Sequence, residues 1–367
     1  MTTTTTSNRK HLVLLGAGRA HVQVLKSLAR RSAGDVNVTL VAPHPQYVES
    51  RMLADYVTGQ YKAEDLCVQL GPLVETSGVE FTLAHVLVLD PAARRVRLAS
   101  GGTLPYDVLS IDMELAADRE AFEANIPGAR RHALFMHPNA GFVQLWPRLC
   151  GLAMERALHV AVIGETLAAA ELAMTAAPVL AAPHGSRVTW IAGSAQGKFP
   201  LADEQPVLAR RILARLKRLN VTVLQDHCVG LDGRSALLAS GASLQCDAPI
   251  IAGSTGYPAW LLQSGLQLAS NGAPQVNQRL QSDSHRQIFI APPDASAEYG
   301  PVLDANLRAA LGGGTFCPAP RVSRLHAVAS GEGQAIAVWG PFGLEGRGVW
   351  RWLNHRNRKQ LAALFAP

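Results

Sequence analysis

Gly16 and Gly18, with Ala17 between them, stand where an apolar run, Leu12–Leu15, meets a segment carrying Ala20, Val22, Val24 and Leu25. That order reads as strand, tight turn and helix. Glycine at the first position lets the chain reverse; at the second it lets backbone approach a ligand. The helix that follows presents free N–H groups and the positive end of its dipole, which suits a phosphate. His21 replaces the third glycine of G-x-G-x-x-G. At the helix start, His21 is placed either to touch a phosphate or ring edge or to pack. The pattern is incomplete, and a ligand-free βα turn would look the same.

Other chemistry finds less support. The five cysteines, Cys67, Cys150, Cys228, Cys246 and Cys317, are scattered and odd in number. They read as structural thiols of a reducing compartment rather than a disulfide framework. His132 and His137 flank Phe135 without metal-ligand spacing. No Ser-His-Asp arrangement follows from residue order.

The 367 residues exceed the usual single-domain size, so about two domains are expected. Hydrophobic residues make up 48% and charged residues 17%, which suits a large core. The net charge of +6 is not one long run. It is compatible with anionic cofactors or a membrane surface and gives little support to nucleic-acid binding. Residues 1–10 read as a polar, disordered tail. No signal peptide is read, and no apolar stretch reaches the ~18 residues of a membrane span.

Along the chain, Val36–Val41 reads as a second strand, ended by Pro43 and Pro45. Leu66–Thr76 looks helical. Val79–Leu83 and Val86–Leu89 look like strands, Arg95–Leu98 and Thr103–Leu104 form a hairpin about Ser100-Gly101-Gly102, and Val108–Ile111 is a buried strand. Ala116–Phe135 reads as a connector. The theme then restarts: strand Leu158–Ile163, turn at Gly164, helix Ala168–Thr175, strand Arg187–Ile191. Pro206–Leu219 is an amphipathic helix whose arginines suit a solvated face. Val221–Leu224, Ala236–Leu238 and Pro249–Ile251 continue as strands. Gln287–Ala291 returns to the first unit, followed by helix Gly300–Leu311, strands Ala327–Ala329 and Ala335–Trp339, and helix Arg347–Phe365.

Several stretches carry a family resemblance: GAGRAHVQVL, LPYDVLSID, APIIAGSTGYPAWLLQSGLQL, GPVLDANLRAAL and GPFGLEGRGVWRW. Together they resemble the pyridine nucleotide-disulfide oxidoreductase superfamily, near the type II NADH dehydrogenases, in the branch often fused to selenophosphate synthetase. The resemblance implies an α/β fold of two Rossmann-like dinucleotide-binding domains, the second inserted in the first, with a small C-terminal cap. It implies an FAD-binding-like domain over 11–157 and 254–320, an NAD(P)H-binding-like domain over 158–253, and a cap over 321–367. It further implies FAD at Gly16, Ala17, Gly18, His21 and Asp294, and NAD(P)H near Gly164 and Glu171. The activity implied is a FAD-dependent NAD(P)H oxidoreductase, passing hydride to flavin and electrons to a quinone or other small acceptor.

The cofactor motifs depart from that pattern. Ala42 stands where many relatives place an acid on the ribose. Ser110-Ile111-Asp112-Met113-Glu114 replaces a glycine-containing loop that runs beside the FAD in such proteins, with Met113 or Glu114 where a small residue is expected; a carboxylate repels a nearby pyrophosphate. Ile290-Ala291-Pro292-Pro293-Asp294 stands where A-x-G-D is expected: Asp294 is kept, but the glycine is gone, and proline has no N–H to donate. Around Gly164-Glu165-Thr166, only the first glycine of the second turn survives. The disulfide-reductase cysteine pair is absent between Leu40 and Leu66. A non-catalytic paralogue acting through a protein partner is therefore the alternative reading. The terminal helix combines Trp350, Trp352 and Leu353 with Arg347, Arg351 and Arg356. A core-capping role is expected first and peripheral membrane contact second. The expected location is the cytoplasm or the inner membrane face.

Overall fold

The computed structural model describes residues 9–32, 34–112, 119–193, 205–253, 257–270, 272–292, 297–321 and 325–365. The chain opens with β1 (Lys10–Leu15), α1 (Arg19–Arg30), β2 (Val36–Ala42), β3 (Glu80–Leu83) and β4 (Val108–Ile111). β1 pairs in parallel with β2 on one side and β4 on the other, and β3 extends the sheet beyond β2. A central parallel strand is covered on both faces, so Leu12 to Leu15 are buried without alternation. Val86–Asp90, Arg95–Leu98 and Thr103–Pro105 form the antiparallel meander expected between β3 and β4.

The segment between β2 and β3 departs from expectation. Cys67–Gln69 is not helical but a short strand, antiparallel to Gln46–Val48. Helix resumes at Gly71–Ser77, where Pro72 occupies its tolerated place in the first turn.

A second unit is built from β5 (Leu134–Phe135), α2 (Asn139–Glu155), β6 (His159–Ile163), α3 (Leu167–His184), β7 (Arg187–Ile191), α4 (Pro206–Arg218), β8 (Thr222–Leu224) and β9 (Ala248–Ile251). Its sheet runs β5-β9-β6-β7-β8, all parallel. β5 thus joins this sheet from within the stretch read as a connector. The 17-residue α2 was not foreseen. Pro147 lies inside it, yet Phe142, Val143, Trp146, Leu149 and Ala153 recur at helical spacing and are buried.

The chain then returns to the first sheet. β10 (Ile288–Ile290) lies beside β4, completing the order β10-β4-β1-β2-β3. α5 (Tyr299–Ala310) packs on α1, with Ser27 Oγ donating to Asp304 Oδ2 at 2.7 Å. The strands β11 (Leu325–Ala329), β12 (Ala335–Trp339) and β13 (Phe342–Gly346) form an antiparallel sheet ahead of α6 (Arg347–Phe365).

The basic face of α4 is not simply solvated. Arg215 is buried and donates to Ser330 O at 2.8 Å, Gly331 O at 3.2 Å and Glu332 Oε2 at 2.8 Å. Arg211 donates to Gly343 O at 2.7 Å. These donors tie α4 to the β11–β13 sheet. Among the described residues no helix is long and apolar enough to cross a membrane.

Candidate functional site

The first sheet opens a crevice of about 320 Å³ at the carboxyl ends of β1 and β2. Strand order reverses between β1 and β4, and the crevice lies on the β2 side of that switch point, past the carboxyl ends of the strands, where open α/β sheets take ligands. Gly16, Ala17, Gly18, Ala42, His44 and Trp260 are among the residues that line it. Gly16 has φ +88°, the left-handed conformation glycine adopts without strain, and its N–H donates to Val41 O at 2.8 Å. Burial, reinforced by neighbouring His85, lowers the His44 pKa, so its ring is neutral at pH 7.

Behind this turn lies a buried polar set. His21 Nδ1–H donates to Gly16 O at 2.7 Å, and Nε2 faces Ser110 Oγ at 2.8 Å. A carbonyl only accepts, so this neutral ring carries its proton on Nδ1 and accepts from the serine hydroxyl. Burial lowers the His21 pKa against the opposing pull of Asp112, in keeping with the neutral form. Placed as a cofactor contact from the sequence, His21 has both ring nitrogens engaged within the protein. It spans the gap between α1 and β4 that a third glycine would have closed.

Asp112 follows β4 and is 2% exposed. Its Oδ2 accepts from His21 N–H at 2.7 Å, Ala20 N–H also faces the carboxylate, and its carbonyl accepts from Gly18 N–H at 3.0 Å. Burial raises the Asp112 pKa, opposed by His21 and the two N–H groups. A Cβ on Gly18 would overlap this carboxylate, so the second glycine is needed by the protein itself.

A second cavity, of about 390 Å³, lies where α3 begins. Thr166, Glu171, Arg51, Asn139 and Val328 are among its walls. Thr166 caps α3: its Oγ1 accepts from Ala169 N–H at 3.2 Å and donates to Ala252 O at 3.1 Å. Gly164 has φ +149°, and a Cβ there would press on Gly253 N and the Ala252 carbonyl carbon. Glu171 Oε1 accepts from Ala329 N–H at 2.6 Å. Desolvation pushes the Glu171 pKa up to about 8, outweighing that hydrogen bond; Asp55 raises it further.

A thin wall separates the two cavities. Val48, Pro138 and Ala140 face the first; Ser50, Arg51, His137 and Asn139 face the second. Within the wall Glu49 is 1% exposed, paired with Arg19 Nη2 at 2.6 Å and accepting from Tyr47 OH at 3.0 Å. Arg19 Nη1 donates onward to Gln360 Oε1 of α6 at 3.0 Å.

The profile of the pyridine nucleotide-disulphide oxidoreductases matches residues 10–292. The chain belongs to this family. A type II NADH:quinone oxidoreductase of Staphylococcus epidermidis is 29% identical over 127 residues, 34% of this chain and 30% of that one. A sulfide-quinone reductase of Aquifex aeolicus is 30% identical over 102 residues, 28% of this chain and 24% of that one. The matches thus span under a third of these relatives' lengths. Among solved structures, the Aquifex aeolicus sulfide:quinone oxidoreductase superposes with TM-score 0.72 at 16% identity, covering 97% of this chain and 91% of that one. NDH2 of Plasmodium falciparum superposes with TM-score 0.74 at 12% identity, covering 97% of both chains. At these identities the likeness is one of fold: two Rossmann-like units, as the sequence led us to expect.

Of the residues the family resemblance singled out, Gly16, Ala17 and Gly18 line the first crevice and Glu171 lines the second cavity. Gly164 lies two residues before the wall residue Thr166. Asp294, Met113, Glu114 and Pro293 lie outside the described residues. Sequence reasoning placed Ser110 and Asp112 in the loop beside the flavin and in the LPYDVLSID stretch, but gave neither side chain a role. It also missed the Arg19–Glu49 pair, which has no local signal. Cys150 and Cys317 are free thiols, and no metal-binding cluster occurs among the described residues.

Proposed function

We propose that this chain is a flavin-dependent oxidoreductase that draws electrons from NAD(P)H and delivers them to a quinone or other small acceptor. The observation that carries the reading is the shared wall. Neighbouring residues of 46–51 and 137–140 face a nucleotide-type crevice on one side and a second cavity on the other. That adjacency suits two nucleotides meeting end to end. Family membership supports flavin chemistry in general; the acceptor and the nicotinamide partner are our assignment.

FAD fits the first crevice at its adenosine end. Gly16–Gly18 supply a close backbone turn, and the Ala42 end of β2 leaves room for a ribose. Bound flavin would supply the hydride-accepting ring. Asp294 is assigned to the ribityl chain, with Gly164 and Glu171 marking the nicotinamide side. Burial pushes the Glu171 pKa up to about 8, which favours the protonated form at neutral pH, and its Oε1 accepts from Ala329 N–H. In domain terms, 11–157 with 254–320 would hold FAD, 158–253 would take NAD(P)H, and 321–367 would cap the pair.

We also propose peripheral attachment to a membrane. Trp339, Phe342 and Leu344 share one exposed face of the β12–β13 hairpin, and Trp352 of α6 is exposed nearby in sequence. Arginines on α6 suit an anionic lipid surface. A second reading, a fold-retaining paralogue acting through a protein partner, draws on Thr166. Its side chain fills the N-cap of α3, where a phosphate would need open backbone.

The test is NADH oxidation by FAD-supplied protein with a soluble quinone as acceptor. Turnover that needs all three components supports the enzyme. Flavin uptake without NADH oxidation favours the second reading, and no flavin uptake sinks the enzyme.

A further inference from the structure

An α-helix begins with N–H groups that have no intrahelical acceptor, and these draw an anion to a dinucleotide turn. In α1 the first intrahelical bond is Val22 N–H to Gly18 O, at 3.0 Å. Ahead of it, Ala20 and His21 already direct their N–H groups at the Asp112 carboxylate, and Gly18 directs its own at the Asp112 carbonyl. Asp112 follows β4 and lies 91 residues from His21 in sequence, so this is a tertiary cap rather than a local one. A formal carboxylate charge outweighs the half charge of a helix terminus.

The adjoining crevice carries a second, independent sign. Among the described residues lining it there is no lysine or arginine. The nearest arginine in sequence, Arg19, turns its guanidinium to Glu49 and Gln360 instead. The walls offer His44, His85, Gln46 and Trp260, which suit a base and a sugar rather than a polyanion.

We infer that Asp112 is a specificity-determining residue that stands in for the ligand's phosphate, so that the first crevice selects an adenine nucleoside moiety and gains little from a diphosphate. The inference rests on the adenine-nucleotide site proposed above. Its consequence is a dinucleotide held mainly by its adenosine half and readily exchanged.

Calorimetric titration of the full chain with adenosine and with ADP tests it. In the unaltered protein, ADP should bind within about threefold of adenosine. In Asp112→Asn, ADP should tighten by about tenfold, as removing a charge at a helix terminus allows, while adenosine stays unchanged. The comparison in the unaltered protein needs no variant, so it decides the matter even if Asp112→Asn does not fold. ADP binding about tenfold or more tighter than adenosine in the unaltered protein overturns the inference and leaves the nucleotide site standing. So does a folded Asp112→Asn with no gain for ADP. Failure of adenosine, ADP and FAD alike overturns the nucleotide site itself, and the inference with it.

Discussion

His21 occupies a position where glycine normally brings helix and sheet together, and it is accommodated because both ring nitrogens find partners across the gap. His21→Ala leaves a void together with unpaired Gly16 and Ser110 groups. We expect it to cost about 3 kcal/mol of stability, read from urea denaturation. Glu171 makes a different prediction. Its ordinary pKa is 4.5, and the fold pushes it up to about 8. Between those values the folded chain keeps a proton that the unfolded chain has lost. Stability therefore falls as pH rises through that window and levels off above it. Glu171→Gln should flatten this part of the profile. A melting-temperature series from pH 4.5 to 9 that is the same for both proteins would contradict the assignment.

At the scale of elements, α4 shows how a basic helix can be read too simply. Its charges suggest a solvated face, yet Arg215 reaches two backbone carbonyls and Glu332. Arg215→Ala should destabilise by about 2 kcal/mol by leaving buried carbonyls without a donor, and lysine should restore little of it. The β12–β13 hairpin carries Phe342 and Leu344, each 70% exposed, on the face shared with Trp339. Phe342→Glu with Leu344→Glu should cut co-sedimentation with anionic lipid vesicles by about tenfold, leaving the melting temperature nearly unchanged. Equal co-sedimentation would remove the membrane proposal. The elements most legible in the sequence are those with local signals: the β1–α1 turn, the buried parallel strands and the amphipathic α4. The helix α2 was hidden because Pro147 interrupts an otherwise regular buried stripe. Cys67–Gln69 was hidden because its strand character comes from a partner some twenty residues earlier.

Across the whole molecule, two parallel sheets set two cavities against one wall, and the wall is where sequence reasoning stopped. Glu49 and Arg19 are 30 residues apart, and Asp112 and His21 are 91 apart. His21 and Asp112 each lie in a stretch that carries the family resemblance, but no local pattern links either pair, so only the tertiary fold brings them to the glycine turn. α6 also closes on this region, with Arg19 donating to Gln360 and Trp350 to Asp55. The central proposal is that FAD sits in the first crevice and receives electrons from NAD(P)H at the second cavity. An anaerobic titration tests it most directly: the full chain is mixed with FAD until flavin fluorescence reports binding, and NADH is then added. We predict that NADH bleaches the bound flavin's visible absorbance in proportion to the amount added. Absorbance that persists in excess NADH, or a protein that takes up no FAD, would contradict it.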